Sequence, residues 1–292
     1  MTTSNPAWFR DAIAQPYDSG ETKVDGVRIT YRAWGKSGAP CLVLVHGGAA
    51  HAGWWDHIGP HLSADHRVIA LDLSGHGDSG RRDNYSLESW AAEVMAVAHA
   101  EGGDRPIVFG HSMGGFVVLT AAKLHGAELG GVLAIDSPVQ EVSSEVKAWI
   151  AEGKKLPGHK VRATRDEIIS RFRTLPADDS SLEYVRAHIA ASSIVEVDGG
   201  WTWKFDPNIF FHTRMAPEDL AAAECPVALI RGERGMATSD ITAAVAERLG
   251  GHVPVTVIPD AGHHIMLDQP IALIAVLQTL AGQWHRPRKH HD

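Results

Sequence analysis

The sequence predicts an α/β fold in which a mainly parallel β-sheet is connected by helices. Short, continuously apolar runs alternate with stretches of helical periodicity along most of the 292 residues. This β(αβ)n order is typical of parallel strands joined by right-handed crossovers. A glycine-rich turn lies between a strand-like and a helix-like run at residues 107–120, and the alternation is interrupted once, over residues 139–224.

A β-hairpin is the first element predicted. Residues 21–24 and 27–34 alternate apolar and polar side chains around Asp25-Gly26. An Asp-Gly pair between two alternating runs is the strongest short-range hairpin signal. We expect these two antiparallel strands to begin the sheet at an edge.

The following strands are continuously apolar, which is typical of strands covered on both faces. Helices are expected between them, beginning near Trp54 and at Ser86, where a serine and an acidic residue form an N-terminal signal. The predicted buried strands are residues 41–45, 67–71, 105–109, 130–135, 226–230 and 253–258, and the late helices are 239–249 and 269–280.

Residues 139–224 differ from the rest of the chain. They are richer in charge, have helical stretches at 145–152, 165–174 and 181–192, and contain no clear buried strand. No linker rich in proline, glycine or serine divides the chain, so a single core is expected. The predicted organisation is a core of residues 1–138 and 225–292 with a helical cap at 139–224.

Gly110-His111-Ser112-Met113-Gly114 fits the G-x-S-x-G pattern of a nucleophile elbow. An apolar run precedes it and a helix-periodic run follows, which is the context that this motif requires. Small residues two positions either side of the serine allow close backbone approach in the strained turn. Ser112 is therefore the candidate nucleophile.

Composition and charge exclude several function classes. The net charge is −8 and the basic residues are scattered, so neither nucleic acid nor a membrane surface is an expected partner. The first 20 residues hold no apolar stretch of signal-peptide length, and no apolar run is long enough to span a bilayer. We expect a cytoplasmic enzyme. Cys41 and Cys225 lack a metal-binding spacing and are expected to be reduced core thiols.

Four motifs together resemble those of the capped α/β-hydrolase family over nearly the whole chain. The resemblance implies an eight-stranded, mostly parallel sheet with helices on both faces and a cap inserted after strand six. It also implies a serine nucleophile, an acid and a late histidine, with no cofactor and no metal. The motifs are His46-Gly47-Gly48, residues 75–79, residues 110–114 and residues 259–263.

The resemblance assigns the remaining catalytic roles. A serine hydroxyl needs a base to remove its proton, and His263 matches the family's catalytic histidine. The backbone N–H groups of Gly48 and Met113 match the two oxyanion donors. His264 follows His263 directly, and His111 is expected to pack beside the nucleophile.

The acid departs from the commoner pattern of the family. Most relatives carry an aspartate three residues after the glycine that ends strand seven, but Gly235 stands there. Asp136, at the end of strand six, matches relatives with a relocated acid and is favoured. Glu233 and Asp240 remain alternatives.

Aromatic residues of the cap, and two tryptophans after the oxyanion loop, predict an apolar substrate pocket. The expected function is hydrolysis of a small apolar carboxylic ester or lactone through an acyl-enzyme. C–C bond hydrolysis and cofactor-independent oxygenation use a similar triad and stay open. A ligand receptor without turnover is the non-enzymatic alternative. The pocket candidates are Trp54, Trp55, His111, Trp149, Tyr184, Trp201 and Trp203.

Overall fold

An eight-stranded sheet forms the centre of the computed structural model, which describes residues 5–141, 143–152, 155–177, 180–212 and 214–285. The strands along the chain are β1 (Asp18–Val24), β2 (Val27–Trp34), β3 (Cys41–Val45), β4 (Arg67–Leu71), β5 (Ile107–His111), β6 (Gly131–Ile135), β7 (Ile194–Val197), β8 (Gly200–Trp203), β9 (Val227–Gly232) and β10 (Val255–Ile258).

The strand order in the sheet is β1-β2-β4-β3-β5-β6-β9-β10. The β1–β2 and β2–β4 pairs are antiparallel, and the other five pairs are parallel. The predicted hairpin at the edge is confirmed. Asp25 and Gly26 form its turn with φ of 50° and 79°, the left-handed conformation that a two-residue hairpin loop requires.

Ten α-helices are described. Most of the crossover helices match the predicted positions, but the last helix extends four residues beyond the expected end. The helices are α1 (Ala7–Ala14), α2 (Gly59–Leu62), α3 (Leu87–Ala100), α4 (Met113–His125), α5 (Ser144–Ala151), α6 (Arg165–Ile169), α7 (Glu183–Ser192), α8 (Ser239–Arg248), α9 (Ile265–Asp268) and α10 (Pro270–Trp284).

The period-2 geometry of the central strands divides the core into two layers. In β3, Val43 and Val45 belong to the cluster that packs against α3 and α4. Leu42 and Leu44 point to the opposite face and join a cluster with residues of α1, α2 and α10. Alternate side chains of a strand point to opposite faces, so the sheet is covered by helices on both faces, as predicted.

The interrupted segment contains α5, α6 and α7 and also a hairpin, β7–β8, that the sequence analysis did not predict. Asp198 and Gly199 form its turn, and Gly199 has a φ of 85°. The hairpin was not predicted because its strands are largely exposed or half-buried and therefore give no continuous apolar run. The boundaries 139–224 of a cap remain a prediction.

The N-terminal helix α1 is a second element without a prediction. Its Phe9 is 1% exposed and packs edge-on against Tyr184 of α7, with ring centroids 4.9 Å apart. Phe9 also contacts the rings of His57 and His188. Helix α1 therefore joins the core to the interrupted segment. Among the described residues, no helix combines the length and the apolar character needed to cross a bilayer.

Candidate active site

Ser112 lies in the turn between β5 and α4 with φ 53° and ψ −118°, a strained conformation for a residue with a side chain. The flanking glycines are sterically required. A Cβ on Gly110 would collide with the Gly114 carbonyl, and one on Gly114 would collide with the backbone of Val45 and His46. The turn has the geometry of a nucleophile elbow, and the Ser112 side chain stays partly accessible.

A continuous hydrogen-bonded chain links Ser112, His263 and Asp136. The Ser112 Oγ is 3.0 Å from His263 Nε2, and His263 Nδ1 is 2.6 Å from Asp136 Oδ2. A carboxylate only accepts, so Nδ1 carries the proton and Nε2 is free to accept the Ser112 hydroxyl proton. His263 is 3% exposed and Asp136 is fully buried. The three side chains are thus aligned for proton transfer from the serine.

Backbone donors fix the Asp136 carboxylate in place. Its Oδ1 accepts from Gly232 N at 3.1 Å and its Oδ2 from Met236 N at 2.8 Å. Asp136 itself has a φ of 45° just after β6. A buried carboxylate with backbone donors and an imidazole partner satisfies the hydrogen-bonding requirement of a buried charge.

Gly235 leaves room for the carboxylate of Asp136. A Cβ at position 235 would overlap the Asp136 carboxylate. The two alternative acids lie elsewhere. Glu233 is exposed and its Oε2 accepts from Asp260 N at 3.0 Å, and Asp240 is exposed in the first turn of α8. The structure therefore brings Asp136, and neither alternative, to His263 Nδ1.

The oxyanion loop follows β3 and is oriented by His46. Leu73 N–H donates to His46 Nε2 at 3.1 Å, so His46 carries its proton on Nδ1 and donates to the Gly47 carbonyl at 2.7 Å. Because the peptide group is trans, the Gly48 N–H points away from that carbonyl.

Gly48 lies against the residue after the nucleophile. A Cβ on Gly48 would lie 3.7 Å from Met113 Sδ and 3.5 Å from Phe210 Cε1. Met113 begins α4, so its N–H has no partner within the helix. The two predicted donors, Gly48 N and Met113 N, are thus on neighbouring segments beside Ser112.

Two more histidines pack around His263. His111 is 1% exposed, and its Nε2 donates to the His263 carbonyl at 2.9 Å. Burial, with the neighbouring His263 and His264, holds the pKa of His111 well below its usual value. Burial and the nearby His263 also lower the pKa of His264 to about 3, although the Leu175 backbone opposes this. Both rings are neutral at pH 7.

Aromatic rings connect His264 to the interrupted segment. Trp54 lies 5.5 Å from His264 and 6.3 Å from Phe172, and Phe172 lies 6.1 Å from Trp203, measured between ring centroids. Of the predicted pocket residues, Trp54, His111 and Trp203 therefore belong to the histidine cluster or to this row of rings. Phe172 was not predicted, because a single aromatic residue in a charged segment carries no signal.

Among the described side chains, the other pocket candidates show no ring contact with His264 or with this row of rings. Trp55 is fully buried in the core layer of α1 and α10. Tyr184 packs against Trp8 and Phe9 of α1. Trp201 bonds through its backbone to Arg162. The Trp149 side chain lies outside the described residues.

Among the described residues, His111, His263 and His264 form a group whose ligand atoms lie within 4.8 Å of one another. Zn–N bonds of about 2.0–2.1 Å bring tetrahedral ligand atoms much closer together than this. Both His263 nitrogens are moreover engaged by Ser112 and Asp136. The arrangement fits proton transfer better than metal binding.

Two relatives of known name match most of this chain. An esterase of Mycobacterium tuberculosis is 26% identical over 88% of this chain and 87% of its own. The 2-(acetamidomethylene)succinate hydrolase of Mesorhizobium japonicum is 27% identical over 83% of this chain and 88% of its own. The chain is similar to hydrolytic enzymes along most of its length.

Solved structures show the same fold. The thioesterase domain from the curacin biosynthetic pathway superposes with a TM-score of 0.78 at 19% identity, covering 90% of this chain and 99% of its own. A crystal structure of E-2-(acetamidomethylene)succinate hydrolase gives 0.76 at 20% identity, covering 91% of this chain and 100% of its own. The model of the alpha/beta hydrolase family matches residues 42–276. With that match and this fold, the chain belongs to the alpha/beta hydrolase family and is a hydrolase.

Proposed function

We propose that the protein hydrolyses a carboxylic ester or lactone through an acyl-enzyme on Ser112. The observation that carries the proposal is the Ser112–His263–Asp136 chain, with hydrogen bonds of 3.0 Å and 2.6 Å, at a strained elbow. A hydroxyl becomes an effective nucleophile when a positioned base takes its proton. The named esterase among the relatives supports the choice of substrate class.

In the first half-reaction, Ser112 Oγ attacks the carbonyl carbon while its proton passes to His263 Nε2. The carbonyl oxygen becomes an oxyanion, which the N–H groups of Gly48 and Met113 stabilise as donors. The tetrahedral intermediate then expels the alkoxide, which takes the proton from His263. This leaves an ester between the acyl group and Ser112 and restores neutral His263.

In the second half-reaction, His263 removes a proton from water, and the resulting hydroxide attacks the acyl carbon. His263 returns that proton to Ser112 as the carboxylic acid leaves. Asp136 holds the Nδ1–H tautomer of His263 and stabilises the imidazolium that forms in each half-reaction. A lactone follows the same steps, except that its leaving hydroxyl stays attached to the acyl group.

The nucleophile distinguishes ester hydrolysis from epoxide hydrolysis, which the name of another relative suggests. Epoxide hydrolase 4 of Mus musculus is 27% identical over 48% of this chain. Opening an epoxide through an alkyl-ester intermediate requires a carboxylate nucleophile. The elbow of this chain carries the Ser112 hydroxyl instead, and this favours acyl transfer.

Residues 139–224 are proposed as the cap over this site. Phe172 and Trp203 of that segment lie in the row of rings that begins at Trp54. Phe210 lies against Gly48. Apolar rings over a few polar groups are typical of a small-molecule pocket.

The test is covalent labelling. A fluorophosphonate probe should add to Ser112, and peptide mass spectrometry should locate the adduct there. Ser112→Ala should abolish both labelling and p-nitrophenyl acetate hydrolysis, whereas Ser170→Ala, which changes an exposed serine, should retain both. Labelling of another residue, or activity that persists in Ser112→Ala, would refute the proposal.

A further inference from the structure

The two edges of the central sheet expose different side chains. Strand β1 forms one edge and is polar, with exposed Asp18, Glu21 and Lys23. Strand β10 forms the other edge, and its Val255 and Val257 are 40% and 41% exposed. Charged side chains on an edge strand hinder pairing with another chain, whereas exposed valines do not. Of the two edges, β10 is therefore the one suited to pairing.

The backbone of β10 also presents hydrogen-bonding groups at this edge. Within the described parts of the chain, β10 pairs with β9 alone, in parallel. N–H groups of β9 and of the residue that follows it donate to the carbonyls of Pro254 and Ile258, at 2.9 Å and 3.0 Å. Alternate residues of a strand direct their backbone groups to opposite sides. Val255 and Val257 therefore direct their N–H and C=O groups away from β9.

A second copy of the same strand fits these outward groups. About a two-fold axis at Thr256, antiparallel pairing sets Val255 of one copy opposite Val257 of the other. Two residues placed in this way exchange both of their N–H···O=C bonds. The two symmetry-related pairs therefore use every outward backbone group of Val255 and Val257. A longer partner strand would gain little, because Pro259 lacks the next outward N–H.

The side chains are self-complementary under the same symmetry. Val255 and Val257 share one face of β10, so each valine packs beside a valine of the other copy, a cross-strand pair of the kind that stabilises sheets. His252 precedes β10 and Asp260 follows it, and both are exposed. Antiparallel pairing brings the His252 flank of one copy to the Asp260 flank of the other, where an imidazole N–H donor meets a carboxylate acceptor.

We propose that two copies of the protein form a symmetric dimer through antiparallel pairing of their β10 strands, with the two-fold axis at Thr256. The two sheets then join into one. Because the interface is isologous, each β10 edge is covered and assembly stops at the dimer. Strands β6 and β9 separate β5 from this edge, so the pairing does not involve Ser112.

The size of the interface sets the expected affinity. Strand β10 has four residues, and pairing two such strands buries less than the about 800 Å² per partner of a standard interface. We therefore expect a dissociation constant in the micromolar range. The purified protein should change from monomer to dimer as its concentration rises.

Sedimentation velocity over submicromolar to several hundred micromolar protein tests the association. The weight-average mass of the wild type should rise from the monomer value toward twice that value. Val257→Lys places a charge on the edge and should weaken the association by at least about tenfold, or about 1.4 kcal/mol. Val161→Lys is the matched control, since Val161 is 40% exposed and lies outside β10, and it should associate like the wild type. Circular dichroism melts verify that both variants are folded.

Thr256→Cys tests the register. Thr256 faces its own symmetry mate in a non-hydrogen-bonded pair, with Cα atoms about 4.5 Å apart, within the range of about 4.4–6.8 Å found for disulfides. The native Cys41 and Cys225 are buried, so mild oxidation should not link them between copies. We expect Thr256→Cys to give a disulfide-linked dimer on a non-reducing gel. Thr279→Cys, at an exposed position of α10, is the control and should not.

Three results would overturn the inference. They are a wild type that stays monomeric at every concentration, an association that Val257→Lys leaves unchanged, and a Thr256→Cys variant that cross-links no faster than Thr279→Cys. Faster cross-linking in Val257→Cys than in Thr256→Cys would contradict the axis at Thr256. None of these results bears on ester hydrolysis, which the labelling of Ser112 tests separately.

Discussion

At the scale of single residues, the Asp136 carboxylate can occupy its place because residue 235 is a glycine and has no side chain there. Asp136 extends from the end of β6 toward His263, and Gly235 leaves the space that its carboxylate occupies. An aspartate at the end of β6 therefore requires a glycine after β9, because any larger residue would collide with the carboxylate. The sequence alone showed only that Gly235 stands where most relatives carry an aspartate. That this glycine leaves room for the Asp136 carboxylate is visible only in the structure.

The first residue-scale prediction concerns Asp136→Asn. The amide cannot hold the Nδ1–H tautomer or stabilise the imidazolium, so kcat should fall by about 10⁴, the loss seen for the equivalent change in another serine hydrolase. Steady-state kinetics on p-nitrophenyl acetate measure this, with circular dichroism to verify the fold. Glu233→Gln and Asp240→Asn are the matched controls and should change kcat less than a few-fold. A large loss in Glu233→Gln with normal activity in Asp136→Asn would place the acid after β9.

Gly235→Ala gives a second residue-scale prediction that leaves every proposed catalytic side chain intact. The added methyl group would overlap the Asp136 carboxylate, which the N–H groups of Gly232 and Met236 hold in place. We expect kcat to fall by at least about tenfold, because small displacements of catalytic groups cost that much or more. Gly158→Ala is the control, since nothing lies within 4 Å of its added Cβ. Unchanged kcat in Gly235→Ala would show that the two sites are not coupled.

At the scale of elements, the residues of the site come from strand ends and the turns that follow them. Ser112 follows β5 and Asp136 follows β6, while His263 lies in the loop between β10 and α9. In a mainly parallel sheet these carboxyl ends meet at one edge, which is where α/β enzymes bind their ligands. Apolar runs ending in small or polar residues made these elements predictable from the sequence.

One of the two elements that sequence reasoning missed is held by tertiary contacts. Helix α1 has eight residues, and its Phe9 gains its environment from Tyr184 and His188, far along the chain. The β7–β8 hairpin did carry a usable signal, the Asp198-Gly199 pair between alternating side chains. The expectation of a purely helical segment at 139–224 was therefore incomplete.

Hairpin β7–β8 gives an element-scale prediction, because its two tryptophans have different neighbours. Trp203 packs near Phe172 in the row of rings that reaches His264, whereas Trp201 pairs through its backbone with Arg162. Trp203→Ala should lower kcat/KM for bulky acyl groups by about tenfold and leave p-nitrophenyl acetate within about twofold, since remote binding energy acts only on substrates that reach it. Trp201→Ala should have the smaller effect. Equal losses on short and bulky esters in Trp203→Ala would indicate a folding defect instead.

At the scale of the whole molecule, the mainly parallel sheet follows from patterns visible in the sequence, whereas helices on both faces were expected from the family resemblance. Alternating apolar runs and helices predicted a parallel sheet, and the family resemblance supplied the number of strands. What could not be predicted is which of the 18 histidines are enclosed. Burial of a histidine depends on packing between distant segments, as when Trp8 and Phe9 of α1 pack against His57.

Many of these histidines are buried, and their imidazole rings are uncharged. Burial is the largest cause that lowers the pKa of each, and for His57 the value falls to about 4. Each ring must therefore stay uncharged while the protein is folded. The six histidines that are at most 5% exposed and have a lowered pKa are His46, His51, His57, His76, His111 and His264.

These histidines make stability depend on pH in a definite direction. In the unfolded chain a histidine binds its proton near pH 6.5, whereas these rings bind it only at lower pH when folded. Below about pH 6.5 the unfolded state therefore binds more protons, so the free energy of unfolding is fully present above that pH and declines as pH falls. Each such histidine contributes about 1.4 kcal/mol per pH unit between its unfolded and folded pKa values. For His57 and His264 this dependence extends down to about pH 4 and about pH 3.

We therefore expect the midpoint of urea unfolding to be nearly constant from pH 8 to 7 and to fall as the pH drops below 6.5. His57→Gln should reduce the slope by about one proton, because the glutamine does not titrate and its amide can still donate to the Met266 carbonyl that His57 Nε2 bonds at 2.8 Å. Thr279→Ala is the control, since it changes an exposed side chain of α10 that does not titrate and should leave the slope unchanged. A midpoint that stays constant down to pH 5 would mean that the buried histidines bind protons in the folded protein as readily as in the unfolded chain.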